Sequence, residues 1–90
     1  MKSTHIPGMA GDVVTVPNSG SVVVETELRK IQSATATLAE DAVATAASVS
    51  VEFGDPPEGG NQKLTIKTWA ADGATAGSTA AKVSWIAMGE

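Results

Sequence analysis

The sequence predicts an all-β domain, a six-stranded antiparallel β-sandwich, from three observations. Segments rich in Val, Ile and Thr recur along the chain, and several alternate apolar with polar residues, which is the period of a half-buried strand. Clusters of Gly, Pro, Asn and Ser separate these segments, as turns do. No segment shows a regular helical spacing of apolar residues. A length of 90 residues corresponds to one domain.

The C-terminal segment 82–89 is the strongest strand of the sequence. Val83 and Trp85 point to one face of an extended chain, because side chains alternate along a strand. Ile86 and Met88 point to the other face. Apolar groups on both faces are typical of a central strand that the core covers on one side and a neighbour covers on the other.

Near the N-terminus, the segments 11–16 and 21–26 are β-branched and short. Pro17, Asn18, Ser19 and Gly20 separate them, and all four residue types favour turns. The pattern therefore predicts a β-hairpin with a four-residue connection.

Three further strands complete the prediction. The segment 27–40 has features of both helix and strand, but Thr35 and Thr37 alternate with alanines, which favours a strand. The segments 48–53 and 63–69 alternate regularly. The predicted core side chains are Val22, Val49, Val51, Phe53, Leu64, Ile66, Val83 and Trp85.

Composition and charge exclude several classes of protein. The net charge of −4 leaves no basic stripe for nucleic acid, and no apolar run is long enough to cross a bilayer. The first eight residues lack the apolar segment of a signal peptide, so we expect synthesis in a cytoplasm. Residues 1–10 have no strand or helix period and are predicted to form an extended arm, followed by a single β-sandwich domain over residues 11–90.

The residues needed for catalysis are scarce. The chain has no cysteine and no tyrosine, and its one histidine, His5, lies in the predicted arm. The acidic residues Glu40, Asp41, Asp55 and Glu58 lack the spacing of a calcium loop and are expected to be solvated. We therefore predict that the protein is not an enzyme and has no cofactor or metal site.

A few residues are candidates for binding. Trp69 falls on the outward face of its strand with Lys67, so it lies at a strand end or packs against another subunit. Arg and aromatic residues are enriched at protein interfaces, which makes Arg29 and Lys30 candidates as well. His5 and Ile6 are candidates for contacts of the arm. A sugar stacked on Trp69, with the loops 54–61 and 70–80 as the contact surface, is the alternative to a protein interface.

Two resemblances extend these predictions. The segment Val83 to Gly89, preceded by the strand 64–69 and a Gly/Ser/Thr-rich connection, resembles the closing half of the H-type lectin domain. That resemblance implies a six-stranded sandwich that assembles as a trimer with a carbohydrate site between subunits. The aromatic and histidine contacts of that family are replaced here by the small residues 77–81, and its arginine by Lys67 or Thr68.

The chain also resembles small structural proteins of double-stranded DNA bacteriophages. The resemblance rests on the segment 27–33 before a Thr/Ala strand, on the ending 85–89, and on an acidic, Cys-free composition. It implies a head decoration (cement) protein, or a tail or fibre part, that binds a major capsid or other virion protein. The implied location is the virion, after synthesis in the bacterial host.

The thin core leads to a prediction about assembly. Much of the apolar content is alanine, with one Phe and two Trp, so a monomer buries little apolar area. We predict a homotrimer. Light scattering is expected to report three times the chain mass of 9.0 kDa. A stable monomer at micromolar concentration would contradict this prediction.

Overall fold

The structure, a computed structural model, describes residues 8–55 and 57–90. Within these residues the chain forms six β-strands and no helix, arranged in two three-stranded antiparallel sheets. The strands are β1 Met9–Val16, β2 Ser21–Glu25, β3 Ile31–Leu38, β4 Ser48–Glu52, β5 Lys63–Trp69 and β6 Ala81–Gly89. The prediction of an all-β chain with six antiparallel strands is confirmed.

Each sheet is built around one long strand from the second half of the chain. The first sheet has the order β1-β6-β3, with Met9 opposite Met88 on one side of β6 and Leu38 opposite Val83 on the other. The second sheet has the order β2-β5-β4. The prediction that segment 82–89 is a central strand is therefore confirmed.

The predicted hairpin between segments 11–16 and 21–26 is wrong. The turn itself exists, because the Gly20 amide donates to the Pro17 carbonyl at 2.9 Å. However, β1 pairs with β6 and β2 pairs with β5, so this turn carries the chain from one sheet to the other. Gly20 has a φ of 85°, a conformation that favours glycine, and its carbonyl accepts the Thr68 amide, which seats the chain beside β5.

The strand β1 starts earlier than expected. Met9 and Ala10, which the sequence assigns to the arm, pair with Met88 and Ala87 of β6. An alternating pattern is hard to recognise there, because small residues and glycine surround this part of the chain. The remainder of the predicted arm, residues 1–7, lies outside the described residues, and so do His5 and Ile6.

The core lies between the two sheets. Four predicted core residues, Leu64, Ile66, Val83 and Trp85, are buried. The other four, Val22, Val49, Val51 and Phe53, are half-buried and pack around them. The buried cluster also contains four residues outside the predicted set: Val16, Leu28, Ile31 and Ala87.

A buried amide joins the two sheets near the start of β5. Gln62 is 3% exposed, and its Oε1 accepts the Ile31 amide at 2.7 Å while its Nε2 donates to the Gly54 carbonyl. Its backbone amide donates to the Leu28 carbonyl at 2.7 Å. These bonds fix the crossover 26–30, which leads from β2 in one sheet to β3 in the other. Glu27 turns this crossover with a φ of 61°, a left-handed conformation that is uncommon outside glycine.

Two fully buried threonines have opposite hydrogen-bonding states. The Thr26 hydroxyl donates to the Gln62 carbonyl at 2.8 Å and accepts the Leu28 amide at 3.2 Å. The Thr68 hydroxyl, equally buried, has no hydrogen-bond partner among the described residues. A buried polar group without a partner loses its bonds to water on folding and gains nothing in return.

This contrast predicts opposite effects of the same substitution. Thr26→Val is expected to lower the free energy of unfolding by about 1–3 kcal/mol, because it leaves buried backbone groups without partners. Thr68→Val is expected to leave it unchanged or to raise it by up to about 1 kcal/mol. Urea denaturation of the two variants measures the difference. Equal losses in both would contradict the different hydrogen bonding of the two hydroxyls.

Candidate functional site

The structure separates the predicted binding residues. Trp69 and Lys67 lie on the outward face of β5, as their alternation predicts. Arg29 and Lys30 lie in the crossover at the opposite end of β5, where the neighbouring Leu28 bonds to the Gln62 amide. The four candidates among the described residues therefore do not form one site.

Trp69 is the last residue of β5 and is half-buried. Its indole Nε1 donates to the Ser50 hydroxyl of β4 at 2.8 Å, and its carbonyl accepts the Ala47 amide at 2.7 Å. These bonds hold the ring beside β4 while part of it stays exposed. Next to it, the Lys67 ammonium and the Glu52 carboxylate form an ion pair of 3.1 Å. The Lys67 and Glu52 side chains are exposed by 36 and 62%, so solvent screens this pair and it contributes little to stability.

The loop after Trp69 is ordered by one carboxylate. Oδ1 of Asp72 accepts the amides of Ala74 and Thr75 at 2.9 and 2.8 Å, and Oδ2 accepts the Thr75 hydroxyl at 2.6 Å. The Thr75 hydroxyl, followed by the Thr75 and Ala74 amides, lowers the pKa of Asp72 from 3.8 to about 2. Each bond favours the charged form of this exposed carboxylate.

A second loop closes the same end of the sandwich. The Ala71 amide donates to the Ala44 carbonyl at 2.8 Å, and the Ser78 amide donates to the Thr45 carbonyl at 2.9 Å. The hydroxyls of Thr45 and Thr79 bond to each other. The loops 39–47 and 70–80 therefore form a connected rim around the Trp69 end of β5.

The outward side of the β2-β5-β4 sheet, here called the charged face, contains both signs of charge. Glu25 is opposite Lys63 in the register, and Glu52 pairs with Lys67. Such a mixture is typical of a solvated surface.

The outward side of the β1-β6-β3 sheet, here called the apolar face, is different. Val13, Ile86 and Met88 are exposed there by 55, 47 and 49%. Among the described positions of this face, Lys82 is the one charged residue. The outward positions are Met9, Gly11, Val13, Thr15, Ser33, Thr35, Thr37, Lys82, Ser84, Ile86 and Met88. The alternation of β6 indicates that Ile86 and Met88 share a face. The sequence does not show that this face is left without another element packed against it.

A pair of basic residues precedes β3 and a pair of acidic residues follows it. The basic pair, Arg29 and Lys30, precedes β3, and both of its amides donate to the Glu90 carbonyl beside the end of β6. The acidic pair, Glu40 and Asp41, follows β3, and the Glu40 carboxylate accepts the Lys82 amide at 2.8 Å at the start of β6. Both pairs are exposed. Glu27 and Glu90 also lie beside the basic pair, and Lys82 lies beside the acidic pair, so each end of β3 carries both signs of charge.

The remaining described surface has few features of a binding or catalytic site. A shallow, open hollow is lined by the glycine-rich loop 54–61, including the exposed Asp55. Within residues 8–55 and 57–90, no three His, Cys, Asp or Glu side chains are grouped to hold a metal ion. The same residues contain no helix long and apolar enough to cross a membrane. Comparison of the chain with protein-family models, curated proteins and solved structures gave no match.

The Asp72 loop makes a prediction about pH. Because its pKa is lowered, the carboxylate should hold the loop fully above pH 3.8, and this stabilisation should be lost as the pH falls to about 2. The amide resonances of Ala74 and Thr75 are expected to titrate with a midpoint near 2 in an NMR experiment. Asp72→Asn should abolish the transition. A midpoint near 3.8 in the unaltered protein would contradict the hydrogen-bonded arrangement.

Proposed function

We propose that this protein is a non-enzymatic structural subunit of a virus particle, and specifically a decoration protein that binds the outside of a phage head. In this proposal it is made in the cytoplasm of the bacterial host and resides in the virion. The observation that supports it is the apolar face, where Val13, Ile86 and Met88 are about half exposed in a small domain. An exposed apolar surface of this kind marks a site of association.

Charge and composition support the same proposal. A net charge of −4 suits an outer surface, since like charge keeps particles apart. Small side chains suit dense packing of subunits. We include in the proposal the homotrimer and the H-type-lectin-like arrangement of strands that the sequence resemblance implies. Its partners are then further copies of the chain and a major capsid protein.

Trp69 favours an alternative, a carbohydrate-binding module of a tail or fibre. Its indole is oriented by the Ser50 hydroxyl and stays partly exposed beside Lys67. An aromatic ring held in place, with polar groups around it, is suited to stacking against a sugar. Of the two predicted loops, 70–80 lies beside Trp69 and would form the wall of such a site together with the loop 39–47, whereas the connection between β4 and β5 leads to the opposite end of β5.

A capsid-binding experiment tests the proposal. Purified protein is expected to bind expanded phage capsids and to raise their resistance to heat. Deletion of residues 2–7, which leaves β1 intact, should weaken capsid binding by about tenfold, or ~1.4 kcal/mol. Trp69→Ala is the matched control and should leave capsid binding unchanged.

A glycan array tests the alternative, the carbohydrate-binding module. Binding of a defined sugar that is lost in Trp69→Ala, without any capsid binding, would overturn the decoration proposal and support the carbohydrate-binding module.

A further inference from the structure

We propose that the free edge of β1 is suited to pair with β1 of a second copy, and that the carboxylate of Asp12 keeps this edge closed. The proposal goes beyond the proposed function, because it concerns the edge of the first sheet and not its apolar face. Three observations support it: the differences between the four edge strands, the direction of the β1 backbone groups, and the position of Asp12.

The strand β1 is the edge strand with the fewest local obstacles to pairing. Among the described residues, β1 and β3 are the edges of one sheet, and β2 and β4 are the edges of the other. The strands β2 and β4 have five residues each, and β3 has a bulge between Ile31 and Ser33. In contrast, β1 has eight residues, pairs with β6 in one continuous register, and contains neither Lys nor Pro. Short length, bulges, Lys and Pro are the usual features that protect an edge.

Every second residue of β1 directs its backbone groups away from β6. The Gly89 amide donates to the Gly8 carbonyl at 2.8 Å, and the antiparallel register continues from there without a shift. Hydrogen-bonded and non-hydrogen-bonded pairs alternate along such a ladder, so the odd-numbered residues of β1 have amides and carbonyls that point to the free edge. These residues are Met9, Gly11, Val13 and Thr15.

Gly11 leaves the middle of this edge open. It lies opposite Ile86, and a Cβ placed on Gly11 would approach the Trp85 carbonyl oxygen to 2.8 Å. A side chain is therefore excluded at this position. A glycine within a strand permits the close approach of another backbone, so the shape of the edge does not prevent a further strand from binding.

Asp12 closes this edge in two ways. Its Oδ1 accepts the Val13 amide at 2.7 Å, so one of the outward amides already has a partner. Asp12 also lies opposite the buried Trp85, which places its exposed side chain on the inner side of the sheet. A strand added beside β1 would remove water from this carboxylate, which is unfavourable without a paired cation. An inward-pointing charge on an edge strand therefore opposes pairing.

Pairing with a second copy brings two such carboxylates together. The outward residues of β1 are spaced symmetrically about Asp12, so an antiparallel pair of β1 strands uses all of them when its two-fold axis passes through Asp12. In that register Met9 lies opposite Thr15 of the second copy, and Gly11 lies opposite Val13. Each Asp12 then lies opposite Asp12 of the other copy, where like charges are destabilising. The register that satisfies the most backbone groups is therefore the one that Asp12 opposes most.

Removal of the carboxylate tests the proposal. Asp12→Ala is expected to strengthen association between copies by about tenfold, because the Val13 amide becomes free and the repulsion is lost. Asp12→Asn should lie between Asp12→Ala and the unaltered protein, since its amide oxygen still accepts the Val13 amide but carries no charge. Sedimentation equilibrium over a range of concentrations measures the association constants. Hydrogen exchange should show new protection of the Gly11 amide in the associated Asp12→Ala protein.

Two further variants make the result specific to this edge. Asp41→Ala removes an exposed carboxylate of the loop 39–47 with the same change of charge, and it should leave association unchanged. Thr15→Pro, added to Asp12→Ala, removes an outward amide but no bond to β6, and it should reverse the gain. Thermal unfolding checks that each variant folds. Unchanged association in Asp12→Ala, an equal gain in Asp41→Ala, or association that persists in the double variant with Thr15→Pro would overturn the proposal.

Discussion

The buried amide of Gln62 is the interaction on which the arrangement of the two sheets depends. The crossover 26–30 must leave one sheet and enter the other, so its backbone groups cannot all be satisfied by strand pairing. Gln62 and the Thr26 hydroxyl supply the missing partners inside the molecule. This allows Leu28 and Ile31, on either side of the basic pair, to enter the core. The position of Arg29 and Lys30 at the end of β6 is therefore a consequence of a side chain located elsewhere in the sequence.

The inner side of the β1-β6-β3 sheet shows how a core with few large residues is filled. Trp85 lies opposite Ala36, so its large side chain has room beside a small one. Ala87 lies between alanines on both neighbouring strands. This arrangement needs few large residues, which is why one Phe and two Trp are sufficient for the chain. It also explains how Ile86 and Met88, among the larger side chains of β6, remain on the outside.

The predictable parts of the structure are those determined by residues that are close together in the sequence. Alternation identified β4 and β5, and apolar groups on both faces identified β6 as central. Alternation also placed Trp69 and Lys67 on the outward face of β5. The pairing of strands was not predictable, because the turn at residues 17–20 fits both a hairpin and a connection between sheets. The role of Gln62 was hidden for the same reason, since its bond to Ile31 joins residues 31 positions apart. The apolar face could not be predicted either, because recognising it requires knowing which strands lie side by side in the sheet.

Folding and association are linked in a domain of this shape. Val13, Ile86 and Met88 are about half exposed on the apolar face, so much of the apolar area stays in contact with water in a single chain. A partner that covers more of this area binds the folded chain and not the unfolded one, and by mass action it stabilises the fold. The same alternation that gives β6 a buried face with Trp85 gives it an outward face with Ile86. The strand that completes the first sheet thus also provides the surface through which the chain can assemble.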